Sequence, residues 1–164
     1  MHSPQYWKQK LHLSSHVEGG SYKEIYRSAL IMPQACLTVQ HNGDRNAMTS
    51  IYFLLEYGEF SAFHRIASDE LWHHYDGGEL CIYEIDINGI ITKHLLGNSP
   101  DAAPFVAIQA GSWFGSRVET PDSFTLCGCT VSPGFDFADF ELADREQLTT
   151  LYPAHTAIIC ELTR

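Results

Sequence analysis

The stretch Gly58-Glu59-Phe60-Ser61-Ala62-Phe63-His64-Arg65-Ile66-Ala67-Ser68-Asp69-Glu70-Leu71-Trp72-His73-His74-Tyr75-Asp76-Gly77-Gly78 decides how the rest of the chain is read. It holds two runs in which apolar and polar residues alternate or nearly alternate, with Ser68-Asp69 as a turn between them. That period belongs to half-buried strands. On it, Phe60, Ala62, His64 and Ile66 share one face of the first strand, and Glu70, Trp72 and His74 share one face of the second. A hairpin at the turn would bring His64 and Glu70 together, with Trp72 and His74 beside them and His73 on the opposite face. A carboxylate beside an imidazole fixes its tautomer and raises its basicity, which suits a general base or a metal ligand. The plainer alternative is a partly buried histidine with an incidental ion pair.

Outward from this stretch the text stays strand-like. Residues 22–32 are rich in Tyr and Ile, 49–55 form a dense apolar run, and 80–87 alternate before Asn88-Gly89 turns the chain into 90–96. Residues 105–108, 113–118 and 124–131 continue at similar spacing, with Gly, Pro, Asp and Ser between them. Helical patterns occur near the ends alone. Ser3-Pro4 opens one that carries Tyr6, Trp7, Lys10 and Leu11, and Asp144 caps a second over 144–152 with Leu148 and Leu151 inward. Short strands with such punctuation predict one all-β domain over residues 1–164, a sandwich or barrel rather than a βαβ array. Asp136, Asp139, Glu141, Asp144 and Glu146, interleaved with Phe135, Phe137 and Phe140, read as an edge strand with one solvated face.

Composition narrows the function. The 164 residues are 45% hydrophobic and 18% charged, which excludes disordered and fibrous classes. Ten Lys and Arg face twenty Asp and Glu, and the net charge of −10 repels phosphate backbones, so neither nucleic acid nor an anionic membrane is expected as a partner. Five scattered cysteines, without a CxxC pair, predict free thiols in a reducing cytoplasm rather than a disulfide framework. Cys127 and Cys129 share a strand face but lie too far apart for an easy bridge. The opening Met1-His2-Ser3-Pro4-Gln5-Tyr6-Trp7 carries neither the basic nor the apolar region of a leader. Nine histidines invite a search for chemistry, but His2, His12, His41, His94 and His155 sit in helix, turn or tail contexts without convergent partners.

The spacing of Gly58, His64, Ile66, Glu70 and Gly77 resembles the first cupin signature, G, five residues, H-x-H, three residues, E, six residues, G, with Ile66 in place of the second histidine. The second signature is matched by Gln109-Ala110-Gly111-Ser112-Trp113-Phe114, where Phe114 replaces the third histidine. Over nearly its whole length the chain is similar to a cupin-5-like group of mostly uncharacterised proteins. His16-Val17-Glu18-Gly19-Gly20, Phe63-His64-Arg65, Asp69-Glu70-Leu71-Trp72-His73 and Leu96-Gly97 carry that match, as do Ala110 to Gly115 and Gly128 to Phe137. The resemblance implies a double-stranded β-helix, the cupin jelly roll, with short helices near the N- and C-termini.

Three functions follow from the resemblance. Metal-dependent cupins need three or four converging ligands. Here the family positions leave His64 and Glu70, with His74 an unusual third, so no cofactor is expected beyond a weakly bound divalent metal. The distantly similar dTDP-sugar epimerase-type (RmlC-like) cupins use a His base near an acidic partner, a Tyr acid opposite it, and an aromatic, acidic N-terminal strand that reaches a partner subunit. His64 and residues 22–27 fit that pattern. Ser61 stands where a phosphate-binding arginine is usual, and residues 124–129 lack the tyrosine. The third reading is a barrel pocket for a small polar molecule, sugar or nucleotide-sugar-like, with isomerase- or epimerase-like chemistry. His64 and Glu70 are then catalytic, and His16, Glu18, Tyr22, Glu24, Trp72, His74 and Phe114 bind the ligand. A homodimer through the aromatic N-terminal strand is expected, and a non-catalytic scaffold or storage-like dimer is the alternative.

Overall fold

Ser3 accepts a hydrogen bond from the Tyr6 amide at 3.2 Å and Pro4 occupies the first turn, so the chain opens in helix α1 (Pro4–Leu11). The computed structural model describes residues 2–164, and Met1, which the leader reading includes, lies outside the described residues. After α1 come β1 (Ser14–Ser15), β2 (Ser21–Arg27), β3 (Ile31–Met32), β4 (Arg45–Asn46), β5 (Thr49–Glu56), β6 (Phe60–Arg65) and β7 (Asp69–Gly77). Then follow β8 (Leu80–Ile85), β9 (Ile91–Leu96), β10 (Phe105–Ile108), β11 (Trp113–Arg117), β12 (Phe124–Ser132), β13 (Glu141–Leu142), α2 (Arg145–Leu151) and α3 (Thr156–Glu161).

The strands form a six-stranded sheet in the order β1-β2-β5-β12-β7-β10 and a five-stranded sheet in the order β13-β6-β11-β8-β9, with β3 and β4 as a separate pair. Between the large sheets, Phe53, Leu55, Trp72, Ile108 and Cys127 from the first pack against Ile66, Leu80, Ile82, Leu96 and Phe114 from the side of the second. This is the expected jelly-roll double-stranded β-helix. The helices cover the outer faces. Trp7 and Leu11 of α1 lie on Leu54, Phe124 and Leu126, while Leu148 of α2 and Ile159 of α3 lie on Phe63, Ile85 and Trp113. Among the described residues no helix is long and apolar enough to cross a membrane.

Several expectations need correction. The 58–78 stretch is not a hairpin, because β6 and β7 belong to different sheets and the chain crosses the sandwich between them. Ser68 is buried at that crossing and its hydroxyl lies 3.0 Å from His41 Nε2, so His41 is a structural core histidine. His94 likewise sits in β9, 2.8 Å from Glu84. The predicted 22–32 strand divides at Arg27, and Ile31 and Met32 pair instead with β4. The 136–146 segment is a 3-10 turn (Phe137–Asp139) followed by the short β13, and Asp139 is withdrawn from solvent in an ion pair with Arg45. Asp144 does cap α2, but Pro153 follows so closely that only Leu148 is buried, and Leu151 is 62% exposed. The unforeseen α3 supplies Ile159 to that layer.

Three β-bulges interrupt the alternation. Between Glu24 and Tyr26, between Ser61 and His64, and between His74 and Asp76, one strand carries an extra residue against its neighbour. Each bulge re-aims the side chains beyond it.

The turn before β2 depends on Gly19, whose φ is +122° and where a Cβ would collide with the carbonyl oxygen of Phe60. Gly19→Ala is expected to lower the unfolding free energy by about 3 kcal/mol. A urea midpoint matching the parent's would contradict this account of the turn.

Candidate functional site

The turn that Gly19 permits carries Glu18 into the sandwich. The His16 amide donates to the Gly20 carbonyl at 3.0 Å, and the Ala62 amide donates to the Glu18 carbonyl at 2.9 Å, which docks the turn on β6. The Glu18 carboxylate is buried. One oxygen accepts from the Ser61 hydroxyl at 2.9 Å, and the other lies 3.2 Å from His64 Nε2 and 3.5 Å from His16 Nδ1. Ser61 and His64 are three residues apart, so a regular strand would aim them to opposite faces. The β6 bulge puts both on Glu18.

His64 is 3% exposed, and its Nδ1 lies 2.8 Å from the Ala62 carbonyl oxygen. A carbonyl only accepts, so Nδ1 carries a proton and Nε2 is the nitrogen turned to Glu18. Nε2 is thus the ring nitrogen free to gain or lose a proton beside Glu18 while the Nδ1–H bond to Ala62 is kept. Phe114 backs the ring at a centroid distance of 4.2 Å. His16 Nδ1 accepts from the Glu18 amide at 3.4 Å. Burial holds the His16 pKa below its ordinary value, against the pull of Glu18 and with the help of His64.

Glu70 approaches from the other sheet. Its residue is 8% exposed, and its pKa is pushed up to about 8, first by burial and then by the charge of Glu18, with a Cys129 thiol contact opposing the rise. At neutral pH it is a carboxylic acid. His64, Glu18, Glu70 and Cys129 line the deep part of a cavity of about 290 Å³, whose walls include Ile51, Ile66 and Val131. Tyr22, Glu24, Arg27, Phe135, Asp136 and Phe137 line it toward the exterior.

Of the residues expected at the site, His16, Glu18, Tyr22, Glu24, His64 and Glu70 line this cavity. The nearest carboxylate to His64 is Glu18, through its bond to Nε2, and Glu70 faces the cavity from the opposite sheet. Trp72, His74 and Phe114 are elsewhere. Trp72 is a core side chain, 1% exposed and edge-on to Phe53 and Phe114. Phe114 is buried beneath His64 rather than exposed to the cavity. His74 stands roughly 13 Å along β7 from Glu70, where it holds the Gly78 carbonyl at 3.1 Å and Asn98 at 2.9 Å.

Arg27, Cys129, Phe135, Asp136 and Phe137 were not foreseen. The β2 bulge turns Arg27 to the side of Tyr22 and Glu24 and leaves Tyr26 outside. An arginine thus stands at the cavity although Ser61 occupies the position where one was sought. Its guanidinium grips Glu24 through two bonds of 3.1 and 2.7 Å and also donates to Asn46 at 2.9 Å and the Phe135 carbonyl at 3.3 Å. The Phe135-Asp136-Phe137 phrase was visible in the sequence, but its acidic alternation pointed to a solvated edge.

The donor set does not fit a cupin metal centre. Among the described residues no group of three or more His, Cys, Asp and Glu is placed to hold a metal ion. Ile66 and Phe114 offer no lone pair, His74 is remote, and both Glu18 oxygens already have protein partners.

The sequence model of the family described as "Cupin superfamily (DUF985)", Cupin_5, matches residues 5–143. The X-ray structure of a Shewanella oneidensis protein is 39% identical, with 100% of this chain and 99% of that chain covered and a TM-score of 0.89. A hypothetical protein from Leishmania major is 32% identical, with 99% of each chain covered and a TM-score of 0.90. A cupin 2 domain-containing protein from Halorhodospira halophila, 13% identical over 92% of this chain and 87% of its own with a TM-score of 0.57, shares the fold. No curated protein matches the chain.

Glu70 couples stability to pH. Its carboxyl is protonated in the folded chain and ionised in the unfolded chain between its ordinary value of 4.5 and about 8, so the folded state binds more protons in that window. Its contribution to stability is lost as pH rises through the window, by at most about 1.4 kcal/mol for each pH unit. Denaturant titrations should show this slope in the parent and a flatter one in Glu70→Gln, with the variant the more stable at pH 8. Equal slopes would contradict the protonated carboxyl.

Proposed function

The chain belongs to the Cupin_5 (DUF985) family of the cupin superfamily, and from that premise we propose that its cavity binds a small polar molecule and moves a proton on it without a metal, as an isomerase or epimerase does. The Glu18–His64 pair carries this reading. Its Nδ1–H is tied to the Ala62 carbonyl, so proton traffic is confined to Nε2, and Glu18 takes up or returns that proton beside it.

Glu70 supplies the complementary group. A carboxylic acid facing a base across one cavity gives two titratable groups in opposite proton states, which is what a proton shift next to a carbonyl requires. His64 Nε2 takes a proton from the carbon beside the ligand's carbonyl while the Glu70 hydroxyl gives its proton to the carbonyl oxygen, forming an enol. Return of the His64 proton to the same carbon, after the enol has turned its other face to His64 and with the enol proton going back to Glu70, releases an epimer. Where that carbon bears a hydroxyl, return to the former carbonyl carbon, with Glu70 receiving the proton of that hydroxyl, releases an isomer. Tyr22, Ile51, Ile66 and Phe135 give the walls on which a small ligand would rest.

The test is hydrogen exchange into ligand. Small sugars and hydroxycarbonyl compounds are incubated with the protein in deuterated water and followed by NMR. The parent should label at least one of them at the carbon beside its carbonyl and should be thermally stabilised by it. His64→Ala should keep its fold and lose both effects, and Glu18→Gln should label at least about a hundredfold more slowly. Labelling that survives in His64→Ala, or a panel that neither labels nor stabilises the parent, would contradict the reading.

A further inference from the structure

Glu70 is 8% exposed, lines the cavity, and among the described residues receives no hydrogen bond from any amide, hydroxyl, lysine or arginine. The Cys129 thiol is its weak contact. A buried carboxyl without a strong donor is costly unless something else supplies one. Glu70 lines the cavity, so a ligand bound there is placed to supply that donor.

The cavity's other charges say what kind of donor fits. Glu18, Glu24, Glu70 and Asp136 line it against one arginine and two histidines. Arg27 is held by Glu24, Asn46 and the Phe135 carbonyl, so it is not free to receive a phosphate or carboxylate. At the outer end Phe137 is 59% exposed, and its ring stands at 80° to that of Phe135 with centroids 5.0 Å apart. Tyr22 also lines the cavity. An aromatic corner beside carboxylates attracts an organic cation through the negative faces of its rings.

Resting on the reading that this cavity is the ligand site, we infer that its ligand is a small organic amine in the ammonium form, bound between the carboxyl of Glu70 and the rings of Tyr22, Phe135 and Phe137. The cavity of about 290 Å³ suits a molecule the size of an amino alcohol or an amino sugar. An ammonium beside Glu70 favours its carboxylate, so binding at neutral pH expels the Glu70 proton, and in that complex Glu70 anchors the amine instead of serving as the acid of a proton shift. The other titratable groups lining this cavity are Glu18 and His16 on the turn, Tyr22, Glu24 and Arg27 on β2, His64 on β6, Cys129 on β12 and Asp136 beyond it. The thiol is held well above its ordinary pKa, chiefly by burial.

Matched probes test the inference by calorimetry: choline against 3,3-dimethylbutan-1-ol, ethanolamine against ethylene glycol, and glucosamine against glucose and glucuronate. At least one cation should bind about tenfold or more tightly than its neutral partner, and glucuronate should bind most weakly of its set. The binding enthalpy of that cation at pH 7 should vary with the buffer's ionisation enthalpy as proton release requires. Glu70→Gln should remove the cation preference, and Phe137→Ala, a surface change that spares the fold, should weaken the cation about fivefold.

Neutral probes that bind as tightly as the cations, through a site lost in His64→Ala, would overturn the amine and leave the pocket standing. A preference that persists in both Glu70→Gln and Phe137→Ala would also overturn it. If no probe binds but a carbonyl compound is labelled, the amine assignment fails alone. If nothing binds and nothing is labelled, both readings fail.

Discussion

A carboxylate buried between two sheets is the constraint around which the rest of this site is arranged. Removing the Glu18 charge from water costs several kcal/mol unless the protein replaces its hydration. Ser61 donates to one oxygen, His64 Nε2 faces the other, and His16 lies beside it. Each partner is there for a backbone reason. Gly19 allows the turn that drives Glu18 inward, and the bulge in β6 puts Ser61 and His64 on one side of a strand that would otherwise separate them. The Ala62 carbonyl, freed from the regular ladder by the same bulge, receives Nδ1–H and fixes the tautomer. One extra residue in one strand thus sets the geometry and the protonation of the pair.

The jelly roll contributes a second sheet and a dry interior. Glu70 enters from β7, opposite the pair, and burial with Glu18 nearby keeps it protonated near neutrality. The cost of holding two carboxyls in one interior is met differently for each: Glu18 has hydrogen-bond partners, and Glu70 holds its proton. In the proposed reaction that division makes one group a base through His64 and the other an acid. Ile66 and Phe114 have turned two ligand positions into wall and packing, and the acid–base groups come partly from a turn outside the family's signature spacing.

The strand content was legible because alternation and turn residues are local properties. Residues 105–108 coincide with β10, and 124–131 fall one residue short of the end of β12. The Ser3 and Asp144 caps were equally plain, since capping depends on one side chain and an amide three residues on. Sheet membership was not legible. Nothing local distinguishes a hairpin at Ser68-Asp69 from a crossing between sheets, and that choice decides whether His64 meets Glu70 or Glu18. Bulges were hidden for a related reason: a period of two has no term for an extra residue. Arg27 was therefore not expected beside Tyr22 and Glu24 at the cavity, Ser61 was read as a missing arginine rather than a donor to Glu18, and His74 was placed beside Glu70 along the strand. Asp139 was misread because its partner Arg45 is far away in sequence. The six expected residues that line the cavity came from three sources: the period that marked His64 and Glu70, the quoted family phrase that contains His16 and Glu18, and the aromatic, acidic strand after it that holds Tyr22 and Glu24.

The most direct test of the central claim is the ¹⁵N NMR spectrum of the His64 ring, assigned by its loss in His64→Ala and followed across pH. The account predicts a proton on Nδ1 at every pH at which the fold persists, with Nε2 the nitrogen whose resonance moves as the pair exchanges its proton and whose shift changes in Glu18→Gln. A His64 ring whose Nδ1 is unprotonated, or whose Nε2 resonance is indifferent to Glu18, would contradict it.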